Sequence, residues 1–260
     1  MIVEDSADTF RFRMTMGLQK HLEDLGVYFT LQPKTYRLKD GEVLQARKGP
    51  VVEPFVIYNA NSIFPAGFAT YTNANLEPYV SVGRYCSIAH VVRVMGADHP
   101  IDRVTSNSFT YGRFSNIHLN PVERLGGSLA KTIPFKHKPF PVIEHDVWVG
   151  QDVLLARAIT LGTGCIVAAG SVVTKSVPPY AIVGGNPAKL IRYRFPEALI
   201  ERLLRSQWWR YAFPHFADLP FDRPDEFLDQ LDGLVQGGKI KPYEPEKLDI
   251  YRIVKTFKPA

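Results

Sequence analysis

From Ile143 onward the chain repeats in sixes: IEHDVW, VGQDVL, LARAIT, LGTGCI, VAAGSV, VTKSVP. The first positions are Ile143, Val149, Leu155, Leu161, Val167 and Val173, all branched aliphatics. The second positions are mostly small, as Gly150, Ala156, Gly162 and Ala168 illustrate. The fifth positions, among them Val147, Val153, Cys165 and Ser171, are small or β-branched. An earlier block, LEPYVS, VGRYCS, IAHVVR and then Val94, keeps the same phase, with Leu76, Val82 and Ile88 first and Val80, Cys86 and Val92 fifth. A period of six is neither the helical period of about 3.6 nor the alternation of a plain strand. It predicts a short flat strand and a tight corner, over and over. The first-position aliphatic points inward on each face, and the small residues let the backbone turn and successive coils stack. Ahead of Leu76 the phase blurs, and FPAGFA from Phe64 fits it loosely.

The repeat stops between Val94 and Ile143. An excursion this long from a solenoid is usually functional or disordered. Phe109, Tyr111, Phe114, Phe135 and Phe140 argue against disorder. The insertion opens with Gly96-Ala97-Asp98-His99-Pro100. Of the chain's 7 histidines, His99 alone stands at that entrance. His90 and His145 fall at third positions, where a solvated, outward side chain is expected; His118 and His137 lie within the insertion, and His21 and His215 outside the repeat. Asp98 and Asp102 flank His99, but adjacency in sequence does not give an orienting geometry.

The 2 cysteines, Cys86 and Cys165, both occupy fifth positions. Two is no disulfide framework, and a small buried wall residue is the expected role, which disfavours a cysteine acyl-enzyme. The net charge of +5 is spread along the chain without a basic block, so no nucleic-acid partner is expected. A mildly basic chain suits an anionic small ligand. The start, MIVEDSADTFRFRM, is acidic where an export signal is basic, and no apolar run of about 18 residues occurs. The expectation is a cytoplasmic chain with no membrane insertion.

PEALIERLLRSQWWRY, from Pro196, spaces Leu199, Ile200, Leu203, Leu204 and Trp208 as an amphipathic helix with proline at its start. PDEFLDQLDGLV predicts a second helix, and the tail from Lys239 to Ala260 suggests a strand. Residues 1–60 carry no repeat and read as a cap, with a helix between Met14 and Leu25. The organisation expected is a cap over 1–60, a β-helix over 61–195 with the insertion at 96–142, and a helical region over 196–260.

The hexads resemble the hexapeptide-repeat family of acyltransferases. That resemblance implies a mainly β fold, a left-handed parallel β-helix of triangular section, although general chain topology favours right-handed crossovers. The entrance GADHP and the run PIDRVTSNSFTY resemble the xenobiotic and polysaccharide O-acetyltransferase branch, where a histidine at the break in the repeat is the general base; this implies that role for His99. Acyl transfer from a thioester needs a base near neutral pH, and imidazole, with an ordinary pKa of about 6.5, suits it. One ring nitrogen takes the acceptor's proton, and a backbone carbonyl or a carboxylate holds the other. AAGSVVTKSVPPYAIVGGNPAKLIR resembles the family's closing signature. Matched motif to motif, it implies contacts to acetyl-CoA from Gln151, Ala169, Thr174, Lys175 and Arg192, with Lys189 a weaker candidate. Cations there neutralise phosphates. Trp148 is read equally as a groove wall or a buried corner.

The resemblance further implies a parallel homotrimer and, as acceptor, a hydroxyl of a sugar in a polysaccharide or nucleotide-sugar precursor. An antibiotic or other xenobiotic O-acetyltransferase and an amino-sugar N-acetyltransferase are the alternatives within the family. A γ-carbonic-anhydrase-like metalloenzyme shares the fold but needs two histidines on one strand with four residues between them, and no H-x-x-x-x-H occurs here, so no metal is expected. A non-catalytic β-helix used for assembly is the third class.

Overall fold

The computed structural model describes residues 1–32, 38–112 and 115–258; Phe114 lies outside them. The chain forms two compact units, Met1–Val94 with Phe140–Ala260, and Met95–Pro139.

In the larger unit, β1 (Ile2–Asp5) and β2 (Thr9–Arg13) pair antiparallel. The TFRFR of β2 alternates, burying Phe10 and Phe12 while Arg11 and Arg13 face water. Helix α1 (Met16–Asp24) starts where the Thr15 hydroxyl accepts the Leu18 N–H at 3.2 Å, and it buries Leu18 and Leu22. Next come β3 (Val27–Tyr28), β4 (Val43–Arg47), β5 (Pro50–Val52), β6 (Val56–Tyr58), β7 (Ser62–Ile63) and β8 (Tyr71–Thr72).

The hexads then build three faces. β9 (Ser81–Val82), β10 (Ser87–Ile88) and β11 (Arg93–Val94) form one circuit. β12 (Val142–Ile143), β13 (Trp148–Val149) and β14 (Leu154–Leu155) form the next, and β15 (Thr160–Leu161), β16 (Ile166–Val167) and β17 (Val172–Val173) the last full one. Each strand is the sixth residue of one hexad and the first of the next. Face one stacks β9, β12 and β15; face two includes β10, β13 and β16; face three stacks β11, β14 and β17; all pairings within them are parallel. Val149 pairs with Val167 and Leu155 with Val173, so one circuit takes three hexads. First-position side chains from Val82 to Val173 are buried except Val94, which is half-buried, and fifth-position ones are buried throughout. Each buried aliphatic contributes about 1.5–3 kcal/mol.

Hydrogen-bonded stacking begins before the hexads do. β3, β6 and β8 already belong to face two. On face one, Val52 bridges Ala66 and Ala66 bridges Val82. Ala66 rather than Phe64 therefore pairs with Val82, so a reading from Phe64 is out of phase although the Phe64 side chain is itself buried. β18 (Ala181–Gly185) extends face two, and β19 (Ala188–Tyr193) returns antiparallel to it.

Helix α4 (Pro224–Gln236) forms as expected, whereas α3 (Glu197–Ser206) stops short of Trp208, because Gln207 turns left-handed and Trp208–Arg210 make a 3₁₀ turn; both helices share a second apolar cluster with Tyr180, Phe216 and Ile240. The tail supplies β20 (Leu248–Asp249), antiparallel to β5, and then a helix, α5 (Ile250–Thr256), that the sequence reading lacks; Ile250 and Val254 are its buried residues. Between tail and prism, Arg84 acts as a clamp. Its Nε and Nη2 meet Glu53 at 2.7 and 3.0 Å, and its guanidinium donates to the carbonyls of Arg210 and Tyr243 at 3.0 and 2.8 Å.

His145 corrects an expectation. It is not solvated: its Nδ1 accepts the Arg84 backbone N–H at 3.0 Å, and its ring stacks on Trp209 at 5.2 Å and 15°. Burial lowers its pKa, and the Arg84 cation adds to the effect. Trp148 is likewise no buried corner; it is 55% exposed.

In the smaller unit, Arg103 ties the two ends together by donating to the carbonyls of Thr110, Ile133 and Pro134 at 3.3, 3.0 and 3.0 Å. Helix α2 (Asn116–Leu125) carries a reciprocal cap in which the Ser115 N–H donates to His118 Nδ1 at 3.1 Å.

Two glycines of the prism serve different needs. A Cβ on Gly150 would lie 2.6 Å from the amide nitrogen of Ala169 on the next coil. A Cβ on Gly170 meets nothing within 4 Å, but its φ is +69°. Gly150→Val should therefore cost about 2–3 kcal/mol by forcing coils apart, and Gly170→Ala about 1 kcal/mol from backbone strain alone, read by urea unfolding. A larger loss at Gly170 would refute the close-approach account. His145 gives a second test. Its folded pKa lies below the unfolded value of about 6.5, so its neutral form stabilises the fold above that pH and the contribution is lost as pH falls below it. Wild type should lose more stability between about pH 7.5 and 5.5 than His145→Gln does. Equal losses would show that His145 is not responsible.

Candidate functional site

The smaller unit places His99 in an exposed position, beside the buried Pro100. His99 Nδ1 lies 2.9 Å from the Ser106 carbonyl oxygen and 2.6 Å from Tyr111 Oη. A carbonyl only accepts, so Nδ1 carries the proton and the phenol oxygen shares it. The Nε2 lone pair is then left available. Tyr111 follows a short 3₁₀ turn, Ser108–Thr110, capped by the Asn107 side chain, which accepts the Phe109 N–H at 3.2 Å. Phe135 and the Arg103 guanidinium pack on the Tyr111 ring at 5.3 and 5.9 Å. Asp98 pairs with Lys138 at 3.0 Å, and Asp102 is exposed. Nδ1 is thus engaged by a carbonyl and a phenol. The sequence reading allowed for the carbonyl without locating it, and missed Tyr111, whose only signal was its place at the end of PIDRVTSNSFTY.

In the larger unit the five positions matched to the closing signature divide among three places. Gln151 and Ala169 both follow face-two strands and stack one coil apart, where the Gly170 N–H donates to the Gln151 carbonyl at 2.8 Å. Thr174 and Lys175 follow β17 at the next corner and are exposed. Arg192 sits on β19 opposite Ile182, exposed, with Nη1 donating to the Tyr193 carbonyl at 3.1 Å. The corner around Ala168, Ala169 and Gly170 is poor in side chains, and space beyond Gly170 is open. A thin extended chain carrying phosphates fits such an edge, with Lys175, Lys189 and Arg192 exposed nearby in sequence.

Both cysteines are fully buried. Burial pushes the Cys86 thiol up to about 12 and raises Cys165 as well. Neither is a nucleophile at neutral pH. Among the described residues, no group of three or more His, Cys, Asp or Glu is disposed to hold a metal ion. No described helix is long and apolar enough to cross a membrane.

No family model matches the chain. It is 39% identical over 133 residues to a probable macrolide acetyltransferase of Lysinibacillus sphaericus, covering 50% of this chain and 69% of that protein. It is 30% identical over 149 residues to the galactoside O-acetyltransferase of Escherichia coli K12, covering 54% of this chain and 70% of that protein. A chloramphenicol acetyltransferase of Klebsiella aerogenes is 34% identical over 138 residues, and there the chain spans only 59% of its relative's length. Among solved structures, a hexapeptide-repeat acetyltransferase from Vibrio cholerae is 27% identical over 51% of this chain and 64% of its own, with a TM-score of 0.35. With hexads stacked into a three-faced parallel β-helix and relatives of this kind over most of their length, the chain belongs to the hexapeptide-repeat, left-handed β-helix acyltransferases, within their acetyl-CoA-dependent xenobiotic and O-acetyltransferase group.

Proposed function

We propose that the chain transfers an acetyl group to a hydroxyl of a saccharide, as part of a polysaccharide or nucleotide-sugar precursor, with His99 as general base. The observation that carries the reading is the pair of oxygens, from Ser106 and Tyr111, on His99 Nδ1. They orient the ring and leave Nε2 to take the proton. Acetyl-CoA supplies the activated acyl group as a thioester. Nε2 removes the acceptor's hydroxyl proton as the oxygen attacks, and both oxygens on Nδ1 then stabilise the imidazolium. The same proton passes from Nε2 to the departing sulfur, so the imidazole ends as it began. Gln151, Ala169, Thr174, Lys175 and Arg192 hold the donor, the small residues by close backbone approach and the cations by charge.

A parallel homotrimer belongs to the same reading. Ile101 and Val104 are 97% and 108% exposed in the single chain, and Trp148 stands out from face two. Apolar side chains left bare in this way favour cover by a second subunit. The names of the relatives favour one alternative acceptor, an antibiotic hydroxyl, since macrolide and chloramphenicol enzymes are among them.

The test is a panel of sugars, nucleotide sugars and antibiotics assayed with acetyl-CoA by release of free thiol. His99→Ala should lower the rate on the best acceptor by about 10²–10⁴ while CoA affinity is kept. Tyr111→Phe, which leaves the Ser106 carbonyl in place, should cost about tenfold in kcat with little change in KM. An unchanged rate in His99→Ala would remove it as the base. Stoichiometric zinc without CoA affinity would replace the whole reading with a metalloenzyme.

A further inference from the structure

Beside the second apolar cluster of the larger unit, walled also by Tyr85 and Asp146 of the prism, lies a cavity of about 390 Å³. That size is within the range of small-molecule sites. Its walls are rings: Tyr180, Phe195, Trp208, Phe216 and Phe227. Two further rings, Phe213 and Phe221, also line it and stand 51% and 58% exposed, which places large apolar surface in water.

The polar tips of the walls are turned to protein. Tyr85 Oη donates to the Tyr211 carbonyl at 2.6 Å, and Trp208 Nε1 donates to Tyr180 Oη at 3.4 Å. What remains polar is one ion pair. Arg194 Nη1 donates to Asp146 Oδ2 at 2.8 Å and to the Gly164 carbonyl at 2.7 Å. The guanidinium carbon is 5.3 Å from the ring centres of both Tyr180 and Phe195. Arg194 Nη2 and Asp146 Oδ1 carry no hydrogen bond to another described residue. The ion pair therefore offers a donor at Arg194 Nη2 and an acceptor at Asp146 Oδ1, with no net charge, and the Tyr180 hydroxyl, which accepts from Trp208, keeps its own hydrogen to donate.

These features select a ligand class. A charged molecule would lose its hydration here and find both protein charges already paired. Tilted and edge-on rings accept a flat apolar body by stacking and edge contacts. A group that both donates and accepts would complete the ion pair. We propose that the cavity binds a planar, uncharged aromatic molecule bearing one hydroxyl or amide, its ring among the phenylalanines and its polar group on Asp146 and Arg194. Asp146 lies on the corner between faces one and two, whereas the insertion carrying His99 leaves and rejoins the chain between faces three and one. All of the cavity's lining residues belong to the larger unit and none to Met95–Pro139, and its test needs no acetyl transfer.

Calorimetric titration of the full chain with 2-naphthol, uncharged at neutral pH, should give saturable binding of one molecule per chain. Naphthalene-2-sulfonate and 2-naphthylmethylammonium should bind at least about tenfold more weakly. Phe221→Ser, at an exposed position, should weaken 2-naphthol by about fivefold, as should Phe213→Ser. Asp146→Asn leaves the Arg194 charge unpaired and should turn the preference toward the sulfonate. Should that variant not fold, the two phenylalanine variants decide. No saturable binding, equal affinity in wild type and both Phe→Ser variants, or equal affinity of wild type for naphthol and sulfonate would each overturn the proposal.

Discussion

Everything in the larger unit depends on one requirement: each coil must hand its backbone N–H and C=O groups to the next. The Trp148 N–H reaches the Cys165 carbonyl at 3.0 Å, and the Gly150 N–H reaches that of Val167 at 2.9 Å. Coils this close leave no room for a Cβ at Gly83, Gly150 or Gly162, where it would fall 2.6–2.7 Å from backbone atoms of the neighbouring coil. Corners this tight also push the fourth position of the hexad to positive φ. Tyr85, Val91, Asp146, Asp152 and Ala158 adopt it without being glycine. Such a residue costs about 1–2 kcal/mol, and the inner aliphatics, at about 1.5–3 kcal/mol each, offset it. The repeat is therefore a sequence rule for a backbone problem.

A prism solves that problem at the expense of concavity. Its faces are flat and its interior is full, so sites must be made by departures from the repeat. The chain makes two large ones. The insertion after Val94 folds on itself around Arg103 and carries His99 with its two Nδ1 partners. The segment after Tyr193 folds along the corner marked by Tyr85 and Asp146 and creates the aromatic cavity. Arg84 fastens that segment, which is why a side chain at the outward third position of a hexad is half-buried rather than solvated.

What was legible in the sequence follows the same division. Wherever a residue's environment is set by the repeat, its position could be read: Val149 inward, Cys165 walled in, Gly150 at a close approach. α3 and α4 were legible because their own apolar spacing declares them. His145 was misread because its surroundings come from Trp209 and Arg84, which the fold brings to it from distant parts of the chain. α5 escaped because its seven residues are too few to show a period, and tertiary burial of Ile250 and Val254 fixes it instead. Face two's early members, β3 and β6, escaped for a related reason: irregular connections between them destroy the phase while the hydrogen bonding continues. At the candidate site the proposed base, His99, is singled out by its place at the break, whereas the contact from Tyr111 could not be read, because it depends on the 3₁₀ turn that precedes it.

His99 and His145 show how one side chain can be set in opposite hydrogen-bonding surroundings. In His145 a backbone N–H faces Nδ1, so that nitrogen must be bare and the proton sits on Nε2. Protonating this ring would set a new N–H against the Arg84 amide, in a half-buried place beside a guanidinium. The group is held neutral and serves packing. In His99 a carbonyl faces Nδ1, so the proton sits there and Nε2 keeps its lone pair. The difference lies in the direction of a single backbone group, which the identity of a histidine in a sequence does not disclose. Between these two rings, that direction leaves only His99 with a bare Nε2.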